Sequence, residues 1–148
     1  MRPLFALALA SALALTGLAA TVSAESRAVA TYQVIVNPSN AATSLDQAFV
    51  EDAFLKKATH WNNDDAIRPA DLVSSSPVRR KFTEEVLKRS VEAVKGYWQQ
   101  RIFSGRDVPP PEFETDDDVV RYVLKYGGAI GYVSGGANLN GSKAVTVR

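Results

Sequence analysis

Residues 115–136, TDDDVVRYVLKYGGAIGYVSGG, leave the chain few choices of fold. Thr115 is a helix-capping residue. Asp116, Asp117 and Asp118 come next, in the turn where the positive end of a helix dipole favours carboxylates. Val119, Val120, Val123 and Leu124 recur on one helical face, which predicts a helix with those four turned inward. Gly127 is the expected left-handed stop, with Gly128 continuing the turn. AIGYV, residues 129–133, then reads as a strand, and Gly131 in its middle marks a close approach by a neighbour. Ser134, Gly135 and Gly136 turn the chain, and KAVTVR supplies a last strand. A capped helix running straight into an apolar strand calls for helices layered on a sheet.

The same order excludes a nucleotide cradle. Dinucleotide and P-loop glycines come after a strand and open a helix, whereas these glycines come after a helix and open a strand. Gly141-Ser142-Lys143 has the look of a P-loop fragment, but the residues after it are strand-like.

Upstream, TYQVIVN (31–37) is an apolar, β-branched strand that ends at Pro38. Ser44 stands three residues before Gln47, a capping-box spacing, and a helix is predicted over 45–56. AIRPADL (66–72) is a weak strand that Pro69 confines to an edge or an end. Ser76 before Pro77 is a strong helix start, with Val78, Phe82, Val86 and Leu87 as the apolar stripe of a helix over 77–88. Ser90 caps a further helix, VEAVKGYWQQRIF, with Val91, Val94, Trp98 and Ile102 inward. SGRDVPPPEFE is a rigid loop, because three consecutive prolines cannot lie in a helix interior. The predicted order is β, α, β, α, α, α, β, β: an α/β domain with a small mixed sheet and flanking helices.

Residues 1–24 are read apart from that domain. Arg2 precedes an apolar run, LFALALASALALTGLAA, and Val22-Ser23-Ala24 places small residues where a signal peptidase reads. The expectation is a cleavable signal peptide, an exported mature chain over 25–148, and no lipid anchor, since the sequence has no cysteine. One domain of that size builds its core without disulfides. Lys+Arg number 17 and Asp+Glu 16, so loss of Arg2 leaves 16 of each and no basic excess for nucleic acid.

The chemistry-bearing residues are sparse. His60 is the only histidine and lies in a polar connection, so neither a zinc site nor a serine triad finds its partners, and no catalytic residues, metal or cofactor are expected. Asp116 to Asp118 point in different directions on a helix and read as a helix start. Asn62-Asn63-Asp64-Asp65 reads as an oxygen-rich turn. One anion-binding pattern remains. Ser74, Ser75 and Ser76 precede a helix whose first turn carries Arg79, Arg80 and Lys81. Hydroxyls, free backbone N–H groups and nearby cations at a helix start suit an oxyanion, although capping alone also accounts for Ser76.

Taken in order, DAFLKKATHW (52–61), Ile67-Arg68-Pro69, Phe82 with Leu87, Trp98, Phe103-Ser104-Gly105 and GGAIGYV (127–133) resemble the phosphate-binding proteins of bacterial phosphate ABC transporters. That family has Phe-Leu-Gly-Lys-x-Thr-x-Trp after a helix, a serine-rich helix start, and a late Pro-Gly-Ala-Ile-Gly-Tyr-Val strand. The resemblance covers about residues 32–135 and implies one lobe of a type 2 periplasmic-binding-protein-like fold, in a periplasmic, non-enzymatic protein. The family clamps phosphate between two lobes, and this chain is long enough for one. The family's Arg-x-x-Gly-Ser-Gly-Thr loop is replaced here by ADLVSSSPVRR, without its glycines or its leading arginine, and Lys56 stands where the family has glycine.

This leaves two functional expectations. One is a solute-binding-type domain that holds phosphate or another oxyanion weakly, with Ser74, Ser75, Ser76, Arg79, Arg80 and Arg68 as the candidate residues. The other is a non-catalytic interaction module that keeps the half-fold and contacts an ABC permease or another envelope protein. A homodimer would rebuild a two-walled cleft and join the two.

Overall fold

A computed structural model describes residues 29–148, so the expected signal peptide lies outside the described residues. The elements are β1 Tyr32–Val36, β2 Ser44–Leu45, α1 Gln47–Phe54, β3 Arg68–Pro69, β4 Asp71–Leu72, α2 Pro77–Glu85, α3 Val91–Phe103, β5 Glu112–Phe113, α4 Asp116–Lys125, β6 Ala129–Ser134 and β7 Lys143–Val147. Five strands form a mixed sheet in the order β2-β7-β1-β6-β3, and β4 pairs with β5 beside it. The α/β class and the mixed sheet are as the sequence predicts. Among the described residues no helix is long and apolar enough to cross a membrane.

Strand β6 sets the layers. It is apolar on both faces and buried along nearly its whole length, as a strand covered from two sides must be. Gly131 points toward α4, where a methyl in its place would lie 2.7 Å from Val119 Cγ1. The next residue, Tyr132, points to the opposite face and stacks on Phe82 of α2 at 3.8 Å, with Phe54 of α1 against both rings. Such ring pairs contribute about 0.5–1.5 kcal/mol each beyond their burial. β1 joins the sheet's two halves: Val34 is opposite Tyr132 on one side and Val145 on the other.

Several local expectations give way to long-range contacts. Ser44 does not cap α1. With Leu45 it forms β2, parallel to β7, and the Arg148 carbonyl takes the Gln47 N–H at 2.8 Å. Gln47 does not close a capping box either, because its side chain reaches the Val86 carbonyl. The helix is correspondingly shorter than 45–56. α2 stops at Glu85 rather than 88, since Lys88 has left-handed φ.

Gly127 is not a left-handed stop: α4 ends as Tyr126 becomes extended. Its last carbonyls, those of Val123 and Leu124, accept from the buried Asn37 side chain at 2.9 and 3.2 Å, so the residue directly after β1 supplies the cap. Leu124 and Ile102, expected inward, are exposed. The loop after α3 is not wholly irregular, because Glu112–Phe113 pair in parallel with Asp71–Leu72. AIRPADL divides at Ala70 into an edge strand, β3, and the separate β4.

Candidate functional site

The serine-rich start of α2 forms as a capped corner. Ser76 N–H closes a turn on the Val73 carbonyl, and Ser76 Oγ accepts from Arg79 N–H at 3.3 Å. Pro77 fixes the first helical φ and brings no N–H. Arg80 N–H donates to the Ser76 carbonyl. The first turn therefore keeps few backbone donors for a ligand. Ser74, Ser75 and the Arg80 side chain are exposed beside it.

Arg79 points inward from this corner. Its side chain is 3% exposed, with Nη2 3.1 Å from Asp71 Oδ2 and Nη1 3.0 Å from Glu112 Oε1. Nη1 also donates to the Leu72 carbonyl, while Nε is buried without a partner. Asp71 Oδ1 in turn accepts from Leu72 N–H and from the Tyr132 hydroxyl. A buried guanidinium needs such partners, because stripping water from an unpaired charge costs far more than a hydrogen bond returns.

Burial pushes the Asp71 carboxyl up to about 6, against the opposing pull of Arg79 and the Tyr132 hydrogen bond. Burial also raises the Tyr132 hydroxyl far above its ordinary range, with the Asp71 charge adding to it. One guanidinium faces two carboxylates. With both ionised, the cluster beneath the serines is net negative and repels an anion.

Arg68 stands apart from the other candidates. It pairs with Ala129 at the start of β6, and its guanidinium lies 4.7 Å from the Tyr126 ring centre. The serines lie past β4, where Leu72 N–H reaches Tyr132. Ser74, Ser75, Ser76, Arg79 and Arg80 thus share one helix start, Arg79 on its inner side, and Arg68 is at the other end of β6.

Two concavities lie elsewhere. A groove of about 630 Å³ runs beside Asn40, Phe49, Trp61, Asn63 and Arg148, and another of about 580 Å³ beside Tyr32, Gln33, Lys81 and Glu85. Neither includes Ser74–Ser76. The Asn62–Asp65 turn is self-bonded, Asn63 Nδ2 donating to Asp65 Oδ2 at 2.8 Å. In α4, Asp116 accepts from Ser134 N–H while Asp118 turns to Thr115 and Arg121.

With the lobe and its helix-start corner defined, comparison with solved structures is decisive for the fold. An ABC-type phosphate transport receptor from Vibrio cholerae superposes with TM-score 0.62 at 18% identity, over 80% of this chain and 46% of that one. The fold is that of one lobe of such receptors. A phosphate ABC transporter substrate-binding protein from Clostridium perfringens, solved with bound phosphate, gives TM-score 0.62 at 19% identity, over 80% of this chain and 45% of that one. A structure described as a possible phosphate binding protein from Planctomyces limnophilus gives 0.59 at 21%, over 80% and 42%. This chain spans less than half the length of these three receptors. No family model matches it, and neither does any curated protein.

Sequence reasoning missed Asp71, Glu112 and Tyr132. Asp71 carried a faint signal, a carboxylate between Ala70 and Leu72 in an apolar stretch, which calls for a cation such as Arg79. Glu112 carried none, since β4 and β5 are brought together only by the fold.

Proposed function

We propose that this chain is an exported, non-catalytic solute-binding-type module, a single lobe of the phosphate-receptor fold. It meets phosphate or a similar oxyanion at the Ser74–Ser76 corner, with Arg80 as the accessible cation. The likeness to phosphate receptors, one of them solved with phosphate, supports this reading. A single open corner has no second wall to exclude water, so the affinity is low, on the order of millimolar. An ABC permease in the envelope is the partner this reading assigns. Calorimetric titration with phosphate and sulfate tests it. Weak, salt-sensitive heat that disappears in Ser74→Ala/Ser75→Ala/Arg80→Ala supports the reading. No heat, and no rise in melting temperature with millimolar phosphate, overturns it.

One observation favours a second reading, the interaction module. Arg79, the innermost cation of the corner, is held by Asp71 and Glu112 rather than left for a ligand. On this reading the half-fold is a scaffold whose surface contacts another envelope component, and phosphate is irrelevant to it.

A further inference from the structure

Helix α3 outruns the body it packs on. Its apolar stripe is Val91, Val94, Trp98 and Ile102. The first three are buried, and Ile102 emerges 50% exposed. Thirteen residues make a rod of about 20 Å, and the core accompanies it only to Trp98. Beyond that point Phe103 is 91% exposed and Val108 62% exposed. Three large apolar side chains within seven residues thus face water at one tip.

The tip is rigid. Ser104 N–H donates to the Gln100 carbonyl, Gly105 N–H to that of Ile102 and Arg106 N–H to that of Arg101. Gly105 takes φ +66°, the left-handed value that closes a helix end. Asp107 is pinned by Lys56 at 3.5 Å and accepts Val108 N–H, and three prolines come after. Exposing apolar surface on a fixed protrusion rather than folding it inward marks a contact site.

Charge identifies the contact. From Lys95 to Arg106, KGYWQQRIFSGR carries three cations and no carboxylate. The adjacent Asp107 is already neutralised by Lys56. Tyr97 anchors the stem: its hydroxyl donates to the Leu55 carbonyl and Arg101 lies over its ring at 5.2 Å. The tip protrudes and belongs to neither groove, so it presents an apolar wedge with Arg101 and Arg106 as its sequence neighbours rather than a socket for a partner's side chain. That combination is the chemistry of binding at an anionic interface, where the rings and aliphatic groups enter the headgroup layer and the cations meet the phosphates.

We propose that the Ile102–Phe103–Val108 knob docks on an anionic lipid surface. The test uses Phe103→Trp in the full chain, with vesicles of mixed phosphatidylglycerol and phosphatidylcholine and with phosphatidylcholine alone. The apolar stretch at residues 4–20 is common to all variants, so the signal must be local to position 103. The difference emission attributable to position 103 shifts to the blue and is quenched by brominated lipid on the anionic vesicles only. High salt reverses the shift. Phe103→Asp lowers vesicle affinity by about tenfold or more, and Arg101→Gln/Arg106→Gln by about tenfold. Phe103→Asp melts within a few degrees of the parent, since that side chain is almost wholly exposed. Solvent-like, unquenched emission at position 103 overturns the proposal. So does equal affinity of Phe103→Asp and parent, or equal docking on neutral vesicles. A shift with an acidic peptide but not with vesicles also overturns it, and assigns the knob to an acidic protein.

Discussion

Arg79 Nη2 lies 3.1 Å from Asp71 Oδ2, and neither side chain exposes more than 8% of its surface to water. The strongest cation at the serine corner is therefore engaged from within. Removing it strands Asp71 in the interior and deprives the Leu72 carbonyl of its donor. Arg79→Met should cost about 3–5 kcal/mol, read as a lower urea midpoint with an unchanged slope. An unchanged midpoint would show that the pair is not buried in solution.

The same pair sets a pH dependence. Asp71 holds its proton up to about 6 in the folded protein, above the 3.8 of an unperturbed carboxyl. Folded protein then binds more protons than unfolded between those values, and stability falls as pH rises through that window. Acidifying from pH 7.5 to 5 should stabilise the protein. Below about 4 the gain ends, and Glu85 and Asp118, whose carboxyls are held below their ordinary range by Lys81 and Thr115, begin to lose their ionised contacts. Urea midpoints at the two pH values check this, and Asp71→Asn should abolish most of the difference.

Two glycines, Gly128 just before β6 and Gly131 within it, are placed by close approach rather than by left-handed backbone. A methyl at Gly128 would lie 2.0 Å from the Ala66 carbonyl oxygen, which is backbone and cannot yield cheaply. At Gly131 the obstacle is Val119 Cγ1 at 2.7 Å. Gly131→Ala should cost about 1–3 kcal/mol and Gly128→Ala at least as much, by thermal melting. The reverse order of severity would mean that the Ala66 segment moves aside.

Asn37 directly follows β1 and caps α4 from a distance. Asn37→Ala leaves the Val123 and Leu124 carbonyls without their donor and should cost about 1–3 kcal/mol. Hydrogen exchange should rise first in the last turn of α4.

The features legible in the sequence were the local ones. Ser76, Ser90 and Thr115 cap the helices they precede, because each hydroxyl and the N–H it accepts from are three residues apart. Gly131 announced a neighbour, and Pro69 an edge strand. Failures came where a distant group outcompeted a local one. Ser44 joined β7, the cap of α4 came from Asn37, and β5 formed only because β4 was beside it. At the candidate site the serines were legible and their environment was not. Nothing near Arg79 in sequence reveals that Glu112, thirty-three residues later, neutralises it.

On the proposed function, the exposed part of this corner, not buried Arg79, meets an oxyanion. Amide chemical shifts recorded during phosphate titration test it most directly. The expected result is fast-exchange shifts confined to Ser74–Lys81, a dissociation constant on the order of millimolar, and a roughly two- to fivefold gain in affinity for Glu112→Gln. Shifts absent from that segment, or centred instead on the groove beside Phe49 and Trp61, would contradict it.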